Sequence, residues 1–297
     1  MTDLTHLDRL EAEAIQILRD GVAQADRPVL LFSGGKDSTV LAHLALEAFH
    51  PSRPPMPLLH VDSTWEFREV VEFRNRFAAE HRFEIVLHHN EEGRRQGLNP
   101  VEHGALYTTI MRTDALKQAL DAGNYDVIFG GARRDEEASR AKERIVSVRS
   151  AGHGWDPRRQ RPELWSLYNW RRSSGQTLRV YPLSNWTEFD LWAYILKKNI
   201  RLCPLYFADK RPVSLRQGQR IVIDNEARAE ALGLTIDAEE HVRFRSLGCW
   251  PVTAALPSTA SDLRSVVKET LTSANSERNG RISDDGSLES QKQAGYF

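Results

Sequence analysis

The chain reads as an α/β protein, a parallel sheet with helices on both faces followed by a more irregular C-terminal region. Two observations predict this. Over the first 200 residues, short apolar runs alternate with amphipathic stretches at helical spacing, the mark of strands joined by crossover helices. From Leu202 onward proline, glycine and short strand-like pieces take over. With 297 residues the chain has room for one large α/β domain plus an appendage, or for two modest domains. The expected boundaries are an N-terminal helix (1–26), the main α/β domain (27–200), an irregular subdomain (201–272) and a polar tail (273–297).

Met1 to Asp20 forms the first amphipathic helix, with Leu7, Leu10, Ala14, Ile17 and Leu18 on one face. It lacks the basic start and continuous apolar stretch of a signal peptide. Strand one is Val29–Phe32, and a helix beginning near Lys36 follows it, carrying Val40, Leu41, Leu44, Ala45 and Ala48. Leu58–Val61 is strand two, Glu66 to His81 a charged amphipathic helix, and Phe83–Leu87 strand three. Ala105 to Leu120 is a helix, Tyr125–Phe129 strand four and Leu178–Tyr181 strand five. Thr187, with Asp190 three residues on, caps a helix through Leu191, Trp192, Tyr194, Ile195 and Leu196. Val213–Leu215 and Arg220–Ile223 flank Gln217-Gly218-Gln219 as a hairpin. His241–Leu247 is a further strand, and a last helix spans Ser261 to Leu271. The tail after Ser273 is polar and has little to bury until its final Tyr296 and Phe297.

Composition narrows the function. The chain is 40% hydrophobic and 27% charged with a net charge of −1, so as a whole it resembles neither a nucleic-acid nor a membrane-surface binder. Its apolar runs are too short to span a bilayer. Cys203 and Cys249 are far apart and have no CxxC partner, which argues against a disulfide framework and a zinc site and makes a reducing cytoplasm the expected compartment.

The most informative segment is Ser33-Gly34-Gly35-Lys36-Asp37-Ser38, a glycine-rich turn between a strand and a helix start. Glycines let backbone amides approach an anion, the helix N-terminus adds unpaired N–H groups and positive dipole, and Lys36 adds a full charge. The spacing differs from GxxxxGK[ST], which occurs nowhere in the chain. A carboxylate in such a loop would repel phosphate unless it holds a metal or orients Lys36, and for Asp37 a Mg²⁺-linked role is the favoured expectation. In an open α/β sheet ligands lie at the carboxyl ends of strands. Two more clusters fall there: His60-Val61-Asp62-Ser63 after strand two, and Gly130-Gly131-Ala132-Arg133-Arg134 after strand four. Asp62 suits a ribose hydroxyl, a metal or a helix cap equally. Gly130 and Gly131 permit close backbone approach, and Arg133 and Arg134 offer forked donors to a tetrahedral oxyanion. From Arg133 to Arg172 there are eleven Arg/Lys against six Asp/Glu. A solvated helix face with Glu136, Glu137 and Glu143 explains much of that excess. The aromatic, basic stretch from Gly152 to Arg172 reads as a long loop pinned by its aromatics rather than a base-stacking patch.

These residues resemble those of a known family. Ser33–Ser38 is similar to the pyrophosphate loop of the adenine-nucleotide α-hydrolase-like enzymes, which split ATP between its α and β phosphates. Together with GGARRDEEASRAKER from Gly130 to Arg144, QRPELW from Gln160, PLSNWTE from Pro182, LGCWP from Leu247 and the terminal Gly-Tyr-Phe, the chain resembles the small, adenylylating subunit of the heterodimeric bacterial ATP sulfurylases. These form the sulfate adenylyltransferase subunit 2 family, within the phosphoadenosine-phosphosulfate reductase superfamily. The resemblance implies a Rossmann-like nucleotide fold and the reaction of ATP with sulfate to give adenosine 5′-phosphosulfate and pyrophosphate. It further implies Mg²⁺ with the ATP and a larger GTPase partner subunit. Ser33, Gly34, Gly35, Lys36, Asp37, Ser38, Asp62, Gly130 and Gly131 would bind ATP, with Lys36, Arg133 and Arg134 catalytic. Independently of the resemblance, a polar tail that ends in two aromatics is expected to dock on the GTPase subunit or on a neighbouring copy, with Tyr296 and Phe297 as buried anchors. A phosphoadenosine-phosphosulfate reductase would need a reactive cysteine in a C-terminal Glu-Cys-Gly-Leu-His motif, and a tRNA-modifying adenylating enzyme would need paired CxxC elements. The chain has neither.

Overall fold

The computed structural model describes residues 4–165, 167–272 and 293–295. Helix α1 (His6–Ala23) is opened by a capping box between Thr5 and Asp8. Then come β1 (Pro28–Leu31), α2 (Lys36–Phe49), β2 (Leu58–Val61), α3 (Arg68–Glu80), β3 (Ile85–His88) and the short α4 (Glu91–Arg95). The helix foreseen over Ala105–Leu120 is a composite, with α5 (Gly104–Tyr107) running through a π-helical stretch, Thr108–Asp114, into α6 (Ala115–Gly123). After β4 (Val127–Phe129) lie α7 (Ala138–Ala141), β5 (Val146–Arg149), β6 (Thr177–Val180) and α8 (Glu188–Lys198), whose N-terminus carries the expected Thr187–Asp190 capping box.

Six strands form one sheet in the order β3-β2-β1-β4-β6-β5, all parallel except the β5–β6 pair. The order reverses direction at β1 and β4. The crevice outside their carboxyl ends is therefore where this architecture accepts a ligand. Strand interiors are apolar on both faces. Leu30, Phe129, Leu178 and Val180 face one core with α1, α2 and α8, while Val29, Leu31, Leu59 and Ile128 pack with Leu116, Ala119 and Leu120 of α6.

The C-terminal region is more regular than expected. It contains β7 (Asp209–Arg216), β8 (Gln219–Val222), α9 (Glu226–Ala231), β9 (Ala238–Arg243), β10 (Leu256–Pro257) and α10 (Leu263–Thr272), with the four strands in an antiparallel sheet of order β10-β9-β7-β8. The predicted hairpin is the β7–β8 pair. The strand placed at His241–Leu247 starts earlier and stops at Arg243.

The arginine-rich stretch departs from the reading of a solvated helix face. Among the described residues only the four of α7 are α-helical there, with one 3₁₀ turn at Pro157–Arg159. The chain then forms β5, whose Arg149 is buried beside Arg179 of β6. Arg149 pairs with Glu143 at 3.1 Å and donates to the Tyr181 hydroxyl at 3.0 Å. Burial, with Arg149 alongside, pulls the Arg179 pKa down to about 10. The Gly152–Arg172 loop is indeed pinned by aromatics. Trp155 is buried, and Tyr168 and Trp170 pack against the core. Tyr296 and Phe297 lie outside the described residues. Just before them, Gly295 is buried, with Lys117 and His153 so close that a Cβ there would meet their side chains at 2.6 and 3.3 Å.

Candidate active site

The loop after β1 is closed by its own side chains. Gly34 adopts φ +74°, which a residue with a Cβ resists. The Ser33 and Ser38 hydroxyls lie 3.2 Å apart. Ser38 Oγ donates to Gly35 O at 3.0 Å, and Thr39 Oγ1 donates to the same carbonyl at 2.8 Å. Gly35 is the N-cap of α2 and supplies no side-chain cap. The N–H of Lys36 donates instead to the Tyr206 hydroxyl at 2.8 Å, which ties the C-terminal region to the loop.

Lys36 does not lie on an exposed turn, since 1% of its side chain is accessible. Its Nζ sits 3.0 Å from Asp37 Oδ2, while Asp37 Oδ1 accepts from Arg133 Nε at 2.6 Å. Burial alone would favour a neutral Asp37, but the Lys36 and Arg133 charges outweigh it and hold the carboxyl well below the usual carboxylate range. Asp37 thus orients Lys36. With both its oxygens engaged by cations it does not fit the role of Mg²⁺ ligand. Among the described residues no group of three His, Cys, Asp or Glu is placed to hold a metal.

Arg133 is fully buried, and its bond to Asp37 spans the β1–β4 crevice. Gly131 lies against the same loop, where a Cβ would come within 3.0–3.1 Å of the Asp37 and Ser38 backbone. Close approach at this glycine therefore serves loop packing. Gly130 N donates to Val180 O at 2.8 Å, which fixes the turn on β6. Arg134 is turned elsewhere, to Asn185 Oδ1 at 2.6 Å, Glu143 O at 3.4 Å and Glu163 Oε2 at 3.3 Å. Structure and expectation part at this residue.

Two adjoining cavities of about 150 and 160 Å³ form a trench along the carboxyl edge of β1 and share Leu31, Ser33, Arg112 and Leu247. One half is mainly apolar, lined by Phe32, Leu59, Val61, Val70 and Leu116 with His60, Glu66 and Cys249. The other is polar, lined by Gly35, Lys36, Asp37, Ser38, Gly131, Glu136, Arg140 and Tyr206. Neither half is lined by Asp62, Gly34, Gly130 or Arg134.

Asp62 caps no helix. It closes a turn by accepting from Thr64 N at 2.8 Å and lies 3.7 Å from Arg74. Glu66 Oε1 accepts from Ser63 N at 2.8 Å and Ser63 Oγ at 2.6 Å. Burial, then the nearby Asp62 charge, pushes the Glu66 carboxyl up to about 7. Burial and Arg74 push His60 down to about 4, so it is neutral at pH 7. Its Nδ1 lies 2.8 Å from Phe32 O, which places the proton on that nitrogen, and among the described residues its Nε2 has no hydrogen-bond partner.

Arg112 belongs to both halves of the trench and sits in the π-helical stretch, a conformation that recurs at functional sites. Sequence reading missed it. Buried Tyr107, Met111, Ala115 and Ala119, with Leu116 and Leu120 beside them, read as an ordinary helical face and gave no signal for it. Arg140, also missed as a site residue, pairs with Glu136 at 2.6 Å at the polar end. Tyr206 and Glu66 carried no sequence signal, because only the tertiary fold brings them to the loop.

Residues 27–255 match the phosphoadenosine phosphosulfate reductase domain family. The sulfate adenylyltransferase subunit 2 of Chelativorans sp. is 54% identical over 299 residues, covering 99% of both chains, and that of Geobacter metallireducens is 55% identical over 300, covering 100% of this chain and 99% of the other. Among solved structures, Candida glabrata FMN adenylyltransferase in complex with FAD and inorganic pyrophosphate aligns at TM-score 0.51 and 14% identity, covering 98% of this chain and 81% of that one. That last likeness is one of fold.

Proposed function

The chain belongs to the sulfate adenylyltransferase subunit 2 family, and from that premise we propose how the trench carries out the transfer. The enzyme is a nucleotidyltransferase of sulfate assimilation, joining the adenylyl group of ATP to sulfate with release of pyrophosphate. The observation that carries the proposal is the continuity of an apolar half and a polar half that holds Lys36, Arg112 and Arg140 along the carboxyl edge of β1. The purine of ATP occupies the apolar half and its triphosphate lies over Ser33–Ser38, with the α-phosphorus near the shared residues Ser33 and Arg112.

A sulfate oxygen then attacks the α-phosphorus in line and pyrophosphate leaves toward the loop. No protein nucleophile is needed, and positioning and charge stabilisation supply the rate. Lys36, held by Asp37, and the N-terminus of α2 stabilise charge on the leaving group. Arg112 and Arg140 line the trench and are the cations placed for sulfate and the α-phosphate, whereas Arg134 lines neither half. Arg133 acts as a positioning residue through Asp37. No step is assigned to a metal.

The product is a mixed anhydride of higher energy than the bond broken, so a coupled process must draw the reaction forward. The relatives are named as subunit 2, and the chain lacks the ordinary P-loop pattern. A GTP-hydrolysing partner subunit fits both facts. The test is sulfate-dependent pyrophosphate release from ATP, measured with and without that subunit. Release that needs ATP and sulfate and rises with partner and GTP supports the reading. Pyrophosphate release indifferent to sulfate would overturn it.

A further inference from the structure

The turn between β2 and α3 is held in an uncommon shape from several sides. Thr64 sits at φ +68°, a left-handed conformation that a β-branched side chain resists. Asp62 Oδ1 accepts from the Thr64 N–H at 2.8 Å. Arg228 of α9 donates to the Thr64 carbonyl at 3.0 Å, and its guanidinium lies 4.7 Å from the centre of the Trp65 ring. Trp250 N donates to Trp65 O at 2.7 Å, and the Tyr107 hydroxyl donates to Ser63 O at 3.0 Å. Backbone strain of this kind persists only where its surroundings over-determine it, and it gathers at ligand sites.

What the turn delivers to the trench is Glu66. Among the described residues it is the one carboxyl that lines the apolar half. Its Oε1 accepts from both Ser63 N and Ser63 Oγ, which uses both lone pairs of that oxygen and fixes the plane of the carboxyl. Acceptor capacity toward the cavity is left to Oε2. Glu66 is half-buried, whereas Leu31, Leu59 and Leu116 of the walls are buried. The carboxyl therefore stands nearer the mouth than the apolar floor does. A nucleoside triphosphate with its purine on that floor and its triphosphate over Ser33–Ser38 brings its ribose between the two. The ribose carries a vicinal pair of O–H donors, and an ionised carboxyl, which only accepts, is the partner suited to them.

We propose that Glu66 is the residue by which the trench recognises the ribose, its Oε2 accepting a hydrogen bond from the 2′ or the 3′ hydroxyl. The proposal rests on the reading of the trench as the ATP site. It ties recognition to pH, because burial and the Asp62 charge push Glu66 up to about 7 and a carboxylate accepts more strongly than a neutral acid. The charged and titratable groups around it are Asp62 of the same turn, His60 of β2, Arg74 of α3, Tyr107 of α5, and Arg112 and Cys249 of the cavity wall. Asp62 is ionised and His60 and Tyr107 are neutral from pH 6 to 8. The preference for ATP over a deoxy analogue also cancels the titration of the triphosphate, which the two ligands share.

The test measures binding of ATP, 2′-deoxy-ATP, 3′-deoxy-ATP and purine riboside triphosphate, which lacks the 6-amino group, to the full chain by calorimetry at pH 6 and pH 8. Wild type is compared with Glu66→Gln, which keeps an acceptor for Ser63 and replaces Oε2 by an N–H donor. Wild type should bind one of the two deoxy analogues about tenfold or more weakly than ATP at pH 8, with a smaller ratio at pH 6. In Glu66→Gln that ratio should fall to about twofold or less at both pH values. A hydroxyl preference that survives in Glu66→Gln would overturn the proposal. So would a wild-type preference that is the same at both pH values, a readout that needs no variant to fold. Loss in Glu66→Gln of the preference for ATP over purine riboside triphosphate, with the hydroxyl preferences intact, would assign Glu66 to the purine amine and overturn it as well. A wild-type chain that binds none of the four nucleotides would fail earlier, at the reading of the trench, and take the proposal with it.

Discussion

Two carboxyl groups after β2 show how neighbouring residues take opposite protonation behaviour from their surroundings. Burial of Asp62 works against ionisation, but hydrogen bonds from Glu66 and Thr64 N, with His60 and Arg74 nearby, hold it below the usual range. Glu66 is pushed up to about 7 from an ordinary 4.5. Between those two values the folded chain keeps a proton that the unfolded chain has released, so stability falls as pH rises from 4.5 to 7 and stays lower above. The swing is about 3 kcal/mol at 1.36 kcal/mol per unit. Asp62 acts below 3.8 and leaves this window unaffected. Glu66→Gln keeps the Oε1 acceptor for Ser63 and removes the titration. Its melting temperature should match wild type at pH 5 and exceed it at pH 8 by roughly 4–8 °C. A variant with the wild-type pH slope would remove Glu66 as the source.

Asp37 carries a second prediction at this scale. Asp37→Ala leaves Lys36 and Arg133 buried without their shared counter-charge. Breaking a buried pair on one side typically costs about 3–5 kcal/mol, so the urea midpoint should fall well below wild type. An unchanged midpoint would show that the Lys36–Asp37–Arg133 cluster contributes nothing to the fold.

At the scale of elements, the strands flanking the switch point were legible because buried parallel strands are continuous apolar runs, as in Val29-Leu30-Leu31 and Val127-Ile128-Phe129. β5 was not, because its Arg149 is buried by pairing with Glu143 and Tyr181, partners that no local pattern reveals. β9 opens Ala238-Glu239-Glu240, too polar to read as a strand until it pairs with β7. The phosphate loop was legible as a strand–turn–helix unit. Arg112 was not, because the π-turn shifts its helix out of the 3.6-residue register used to sort faces. The turn after β4 supports an element-scale prediction. A Cβ at Gly131 presses on backbone at the start of α2, which cannot swing aside as a flexible side chain would. Gly131→Ala should therefore raise the ATP dissociation constant about tenfold, roughly 1.4 kcal/mol, as read by calorimetry. ATP affinity equal to wild type would mean that α2 accommodates the methyl without moving the loop.

The two sheets of the molecule share one core, in which Val213, Val242, Trp250 and Val266 from beyond residue 200 cluster with Phe67, Leu191 and Trp192. The contacts between them are specific. Trp65 and Trp250 stack at 5.6 Å with rings 4° from parallel, Phe67 and Phe244 meet edge to face at 4.9 Å, and Trp192 and Tyr206 at 5.8 Å. Trp250 N donates to Trp65 O at 2.7 Å, and Ser63 Oγ lies 3.2 Å from Cys249 Sγ. A fragment ending at Ile200 would expose Trp65, Phe67 and Trp192 to water, each worth about 1.5–3 kcal/mol of lost burial. It would also lose the Tyr206 hydroxyl from the N-terminus of α2. Marginal stability of the usual 5–15 kcal/mol does not survive several such losses. The fragment should melt without a cooperative transition, and ATP should not stabilise it. The full chain should instead gain about 2.7 kcal/mol in ATP at a hundred times its dissociation constant. A fragment with a sharp transition and native ATP affinity would show that the nucleotide domain stands alone and that the second sheet serves the partner or the sulfate step instead.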